Sequence, residues 1–261
     1  MNGKHSLITG ASSGIGAAFA RRLAADGHGL VLVARRADRL AELAAELRAR
    51  HGTPVEALPA DLSTLDGIDA VRRRILDGPP LAMLVNSAGF GTRGLFIEVE
   101  ERRTLAMVQL QAVAPVQLAR AALPAMVAAG RGRVILVSSL AGFFTTARYV
   151  TYSATKACLN TFCEGLQAEL AGTGVRAQAI CPGLIRTEFF DSPDFAEFKY
   201  QQVPDWVWMT ADQVVEETLA SRETVFIPGR HFRVFAGMLR APLLGTALRW
   251  ALARLNRNGL Y

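Results

Sequence analysis

Short apolar runs alternate with longer stretches in which apolar residues recur every three or four positions. The runs at 5–9, 29–34, 55–59, 81–85, 133–138, 175–181 and 224–227 predict strands. The stretches at 14–26, 37–50, 64–77, 99–129, 150–171 and 210–220 predict helices. Leu40, Leu43, Ala44 and Leu47, for example, fall on one helical face. Strands alternating with long helical stretches specify βαβ units and a parallel sheet. Runs such as Gly29-Leu30-Val31-Leu32-Val33-Ala34 are apolar throughout, which suits strands covered on both faces. The pattern predicts an α/β fold, a doubly wound parallel sheet with helices on both faces. No internal repeat, low-complexity segment or linker interrupts it before residue 229. Residues 1–229 therefore read as one domain and 230–261 as an extension.

Composition narrows the picture. The 261 residues are 51% hydrophobic and 20% charged, which excludes disorder and supplies a large core. Cys158, Cys163 and Cys181 form no CxxC or CxxH pattern, so neither a disulfide framework nor a metal site is expected, and a reducing compartment fits. The net charge of +6 sits wholly at the end. From Thr224 onward there are six arginines and no acid, while residues 1–223 hold 23 basic and 23 acidic residues. A neutral body without a recognition motif argues against nucleic acid as a partner. Leu243, Leu244, Ala247, Leu248, Ala251, Leu252 and Leu255 share one helical face, with Arg249, Arg254 and Arg257 off it. Three fates are open to this basic amphipathic helix: docking on the body or a sister subunit, lying on an anionic membrane, or meeting an acidic carrier. The first is favoured. The strand-like run at 5–9 leaves no room for a removable leader, and no stretch of 18 uncharged apolar residues occurs. A cytoplasmic location is expected, with peripheral membrane contact through the C-terminal helix as the alternative.

The first strand runs into Thr9-Gly10-Ala11-Ser12-Ser13-Gly14-Ile15-Gly16 and then a helix. In a doubly wound fold this junction is where a dinucleotide pyrophosphate sits. Gly10 permits the tight turn, Gly14 lets backbone approach phosphate, and Gly16 lets the helix pack on the sheet. Ser12, Ser13 and Ile15 complete this cofactor-binding turn, and the helix N-terminus supplies unpaired N–H groups. No Gly-Lys-Ser/Thr follows, so the turn is not a P-loop. After the second strand stand Arg35 and Arg36, with no acid before Asp38. Arginine there suits the 2′-phosphate of NADPH or NADP+, and NADH is disfavoured.

Ser139 follows the run 133–138. Tyr152 lies thirteen residues on, and Lys156 four further. Residues i and i+4 share a helix face, so phenol and ammonium are neighbours. A free tyrosine has a pKa of about 10, and a nearby cation favours phenolate; bringing it to about 7 takes roughly 4 kcal/mol. Tyr152 then serves as a general acid toward a carbonyl oxygen, and Ser139 hydrogen-bonds the same oxygen. Only Lys4, Lys156 and Lys199 among the 29 basic residues are lysines, so a lysine at 156 points to a requirement for a compact charge.

The glycine turn, Asn86-Ser87-Ala88-Gly89 after the fourth strand, Ser139, Tyr152-Ser153-Ala154-Thr155-Lys156, and Pro182-Gly183 followed by Thr187 together resemble the short-chain dehydrogenase/reductase family. The resemblance covers residues 4–229. It implies a Rossmann-like catalytic domain with about seven parallel strands, acting as a homodimer or homotetramer on a small molecule. It implies hydride transfer between NAD(P) and a carbonyl/alcohol pair. Tyr152 would be the proton donor, Ser139 would position the substrate oxygen, and Lys156 would bind the nicotinamide ribose. Asp61 and Leu62 would lie near adenine. Asn86, Ala88 and Gly89 would line the cofactor groove with Pro182 and Gly183, and Ile185 and Thr187 would hold the carboxamide. Two positions depart from the family pattern: Ser87 replaces a second Asn, and Gln111 replaces the Asn that helps hold a relay water.

After Pro182-Gly183 come Phe189, Phe190, Phe195, Phe198, Tyr200, Trp206, Trp208 and Met209. In the family this segment covers the substrate, so its aromatic density suits a bulky apolar pocket with a mobile lid, while also fitting a satellite core under a long loop. Phe143, Phe144 and Tyr149 would add a wall. The resulting expectation is an NADPH-dependent reductase of an apolar ketone or 3-oxoacyl compound. Its rival is a non-catalytic NADPH-binding sensor or scaffold of the same fold.

Overall fold

In the computed structural model, which describes residues 4–145, 147–195 and 203–241, all seven expected strands form. They are β1 His5–Thr9, β2 Gly29–Ala34, β3 Val55–Pro59, β4 Leu81–Asn86, β5 Gly132–Val137, β6 Val175–Ile180 and β7 Val225–Phe226. They pair in the order β3-β2-β1-β4-β5-β6-β7, every pair parallel. The helices are α1 Gly14–Ala25, α2 Ala37–His51, α3 Leu65–Leu76, α4 Glu101–Val108, α5 Ala114–Ala128, α6 Val150–Glu169, α7 Ala211–Ala220 and α8 Arg230–Arg240.

The sheet carries a hydrophobic layer on each face. On one, Phe19 and Leu23 of α1, Leu40 and Leu47 of α2 and Val214 of α7 pack together with strand residues such as Leu32. On the other, Ile68 of α3, Leu118 of α5 and Leu159 of α6 do the same with Val31 and Leu84. Each such apolar side chain removed from water contributes about 1.5–3 kcal/mol. This two-sided burial explains why β2 is apolar along its whole length. The doubly wound Rossmann-like architecture expected from the pattern is the one that forms.

Two departures bear on function. The helix expected over 99–129 is interrupted by a π turn at Gln109–Val113, in which the Ala114 amide reaches the Gln109 carbonyl five residues back. Pro115 follows. Lacking an N–H, it cannot bond the Gln111 carbonyl as a regular α turn would require, so the ladder widens there. The run Glu101–Ala128 is long and apolar enough by composition to cross a bilayer. Its apolar character is accounted for by burial of Leu118, Ala119, Ala122 and Met126 against the sheet.

The second departure is α8, which lies beyond residue 229. Phe232, Ala236 and Leu239 recur at i, i+4 and i+7 and are buried, Phe232 and Ala236 in the same core layer as α1 and α7. Residues that pack on the body thus run at least to Leu239. The amphipathic stretch at 243–256, together with Phe198 and Tyr200, lies outside the described residues.

Candidate active site

The strand order reverses between β1 and β4, and a crevice of about 840 Å3 opens at the carboxyl ends of the strands there. Thr9, the last residue of β1, spans the gap. Its Oγ1 accepts from the amides of Ser87 and Ala88 at 3.0 and 3.1 Å. Gly10 follows with φ +67°, and a Cβ on it would stand 2.8 Å from the Ala88 Cα. A Cβ on Gly16 would stand 2.3 Å from the Gly10 carbonyl oxygen. Glycine is therefore required twice, once for the turn against β4 and once for seating α1. Ser13 caps α1 without a side-chain hydrogen bond, so its hydroxyl does not satisfy the first amides of the helix.

Every catalytic and cofactor-binding residue named from sequence lines this crevice except Gly16, which lies behind the turn, and Asn86, which is buried at the end of β4; of the aromatic residues named for the substrate side, Phe143, Trp206 and Trp208 do not line it. Ser139 leaves β5 in extended backbone and caps the short turn Leu140–Phe143, its Oγ accepting from the Ala141 amide at 3.1 Å. Tyr152 and Lys156 occupy successive turns of α6. Ser138 bolts that helix to the sheet by donating its hydroxyl to the Lys156 carbonyl at 2.9 Å. The Lys156 ammonium donates to the Val137 carbonyl at 2.9 Å and lies 5.5 Å from the Tyr152 ring centroid.

The electrostatics correct one expectation. Burial pushes the Tyr152 phenol up to about 12, although a hydrogen bond with Ser139 pulls the other way. Burial also pushes Lys156 down to about 7, with the Cys181 thiol opposing it. Burial thus governs both groups, since the dry surroundings penalise a phenolate and an ammonium alike.

Gln111 sits in the π turn, 1% exposed. Its Nε2 donates to the Phe90 carbonyl at 2.8 Å, while its Oε1 has no hydrogen-bond partner among the described residues. A Cβ on Gly89 would stand 2.9 Å from that oxygen, so Gln111 keeps position 89 small. Asn86 Nδ2 is likewise buried and without a partner among the described residues. Of the two, Gln111 lines the crevice, and its orphaned oxygen fits a polar guest there.

At the far end, Arg36 bonds the Ser12 hydroxyl through Nε and Nη2 at 3.2 and 3.1 Å. Its Nη1 donates to Glu188 Oε2 at 2.9 Å, and Arg39 bonds the other oxygen of the same carboxylate. Hydrogen bonds from Arg36 and then Arg39 hold Glu188 below the usual carboxylate range. Burial pushes Asp61 up, but the hydroxyl and amide of Ser63 and the Arg35 charge outweigh it and hold the carboxyl low.

Phe189 packs on Tyr152, with centroids 5.9 Å apart, and on Phe195 at 5.1 Å. Phe190 packs on Trp208 at 5.5 Å, and Tyr149 stacks on Phe195 at 6.3 Å. The aromatic segment is thus both crevice wall and satellite core. Phe143 and Phe144 both pack against the core, and of the two Phe144 also joins the wall. Thr9, Arg39, Glu188 and Phe232 were missed from sequence. Arg39 follows Arg36 by one helical turn, which was a usable signal. The others depend on which strand ends meet.

Residues 4–194 match the family model described as short chain dehydrogenase. The chain belongs to the short-chain dehydrogenase/reductase family. Among family members it is 33% identical over 239 residues to the oxidoreductase YmfI of Bacillus subtilis, covering 90% of this chain and 98% of that one. A solved structure of a short-chain dehydrogenase from Sphingobium yanoikuyae in complex with NADPH is similar, with a TM-score of 0.81 and 35% identity over 98% of this chain and 94% of that one. The bulky-bulky ketone specific alcohol dehydrogenase of Comamonas testosteroni is also similar, with a TM-score of 0.79 and 30% identity over 100% of this chain and 94% of that one. The chain is therefore an oxidoreductase of the short-chain dehydrogenase type.

Proposed function

We propose that this chain reduces the carbonyl of an apolar ketone or 3-oxoacyl compound, with NADPH as cofactor. The observation that carries the reading is the convergence of Ser139, Tyr152 and Lys156 with Arg35 and Arg36 on one crevice. The donor set fits NADP(H). The turn from Gly10 to Gly16 and the first amides of α1 hold the pyrophosphate, and Arg35 and Arg36 the 2′-phosphate. Asp61 and Leu62 border the adenine. Lys156 holds the nicotinamide ribose, and Ile185 and Thr187 the carboxamide. The bound cofactor supplies the hydride.

Tyr152 gives its proton to the substrate oxygen while the Ser139 hydroxyl hydrogen-bonds the same atom. A phenol with a pKa raised to about 12 stays protonated at neutral pH. That state suits donation and hence the reductive direction. Phe144, Phe189, Phe190 and Phe195 supply the apolar wall, joined by Phe232 from α8. Resemblance to an alcohol dehydrogenase specific for ketones with two bulky substituents supports a wide apolar pocket.

The test is NADPH oxidation against a panel of ketones graded in bulk and a set of 3-oxoacyl thioesters. Turnover that rises with apolar bulk is expected. Tight NADPH binding with no turnover on any member would favour the sensor reading instead.

A further inference from the structure

Glu188 belongs to the segment after β6 that covers the crevice, yet its carboxylate reaches two arginines of α2 and its N-cap. Resting on the reading that Arg35 and Arg36 receive a 2′-phosphate, we propose that Glu188 is an internal competitor for that phosphate. It holds Arg36 and Arg39 until the phosphate takes its place, and the exchange releases the segment Glu188–Phe195 from the adenosine end.

Arg36 shows why an exchange is needed. A guanidinium offers its N–H groups in a fixed fork. One edge of Arg36, Nε and Nη2, lies on Ser12, and Nη1 lies on Glu188. A phosphate seeking two parallel hydrogen bonds must displace one of these partners. Glu188 is the partner that carries negative charge, so it is the one the phosphate repels. A phosphate monoester bears about −1.5 to −2 charges against one for a carboxylate, so it prevails over the pair of guanidiniums. The arginines and the glutamate are nearly half exposed, which leaves the contact open to exchange.

The same few residues link both ends of the crevice. Thr187 lies against the glycine turn, its methyl 3.2 Å from where a Cβ on Gly14 would stand. Phe189 packs on the Tyr152 ring. Farther on, Asp194 is held by Arg103 of α4. Losing the Glu188 contact therefore removes the one ionic tie at that end of the segment, leaving the packing of Thr187 and Phe189, while the Asp194 end stays tied. NADH has no 2′-phosphate and leaves the latch shut. Because coupling between sites is reciprocal, substrate affinity depends on which cofactor is bound.

The experiment uses the full chain and its Glu188→Gln variant, titrated with NADPH and with NADH by tryptophan fluorescence. The variant is expected to bind NADPH about threefold to tenfold tighter and NADH within about twofold of wild type. The gain should shrink as salt is raised. Limited proteolysis within 187–195 should be faster with NADPH than with NADH in wild type, and equal in the variant. Weaker NADPH binding in the variant would overturn the proposal by showing that Glu188 preorganises the arginines. Equal changes for both cofactors would overturn it too. Arg36→Ala separates the two claims: unchanged NADPH affinity there would sink the phosphate assignment itself.

Discussion

The Lys156 ammonium is fastened to the Val137 carbonyl at 2.9 Å, so the lysine is anchored to β5 rather than to the tyrosine one turn away. Its charge is thereby placed at a defined height above the strand ends. Burial acts on it and on Tyr152 in opposite senses, lowering one pKa and raising the other. Both neutral forms gain from the dry site.

Tyr152→Phe should abolish turnover and leave NADPH affinity nearly unchanged. The hydroxyl is used in the transition state, so its loss belongs in kcat rather than in binding. Steady-state kinetics with the best ketone of the panel, beside an NADPH titration, decide the matter. Retention of more than about a tenth of wild-type turnover, a loss under about 1.4 kcal/mol, would mean that another group is the acid.

Arg35→Ala combined with Arg36→Ala should lower NADPH affinity by about tenfold or more and barely change NADH affinity. Hydrogen bonds to charged groups contribute about 1.5–3 kcal/mol each. Fluorescence titration with both cofactors measures it. Equal losses would show that the pair holds something common to both.

Lys156 leaves a signature in stability. Its folded pKa of about 7 lies below its ordinary 10.5, so between these values the unfolded chain binds the extra proton. Stability must therefore rise with pH across that window, and the burial penalty is fully present below about pH 7. The denaturation midpoint of wild type relative to Lys156→Met should climb from about pH 7 to about pH 9. A constant difference would show that the ammonium is not desolvated in the fold.

A chain cut after Gly229 loses Phe232, Ala236 and Leu239 and should aggregate or change its assembly, since their receiving surface becomes exposed. A chain cut after Ala241 keeps α8 and should bind NADPH as wild type does. Size-exclusion chromatography of the two compares them directly. A monodisperse, NADPH-binding product of the first cut would show that α8 is dispensable.

What sequence made legible was local. The strand periodicity placed β2 and β3 to the residue, and the glycine turn, Ser139, Tyr152 and Lys156 are spelled out in short motifs. What it hid depends on distance along the chain. Thr9 meets Ala88 79 residues on, and Arg36 meets Glu188 152 residues on. Neither pairing has a local signature, because each is created by the order of the strands. The sense of the Tyr152 shift was hidden for a related reason: a neighbouring cation is visible in the spacing, whereas burial exists only once the sheet is covered. The same holds for α8, whose charge drew attention away from its apolar stripe.

The π turn at Gln109–Val113 also limits how this gene can change length. In an α-helix each residue adds about 100° of rotation and 1.5 Å of rise. A single-codon deletion here would not merely shorten the helix. It would close the bulge into a regular α turn, leaving α4 in phase with α5, at the one place where Pro115 has no amide to complete that turn, and it would take away the widened turn that carries Gln111 to the Phe90 carbonyl. The bulge is thus a local store of one residue, whose loss would be felt at Gln111 and Phe90 in the crevice before it was felt at Met107, now fully buried in the core.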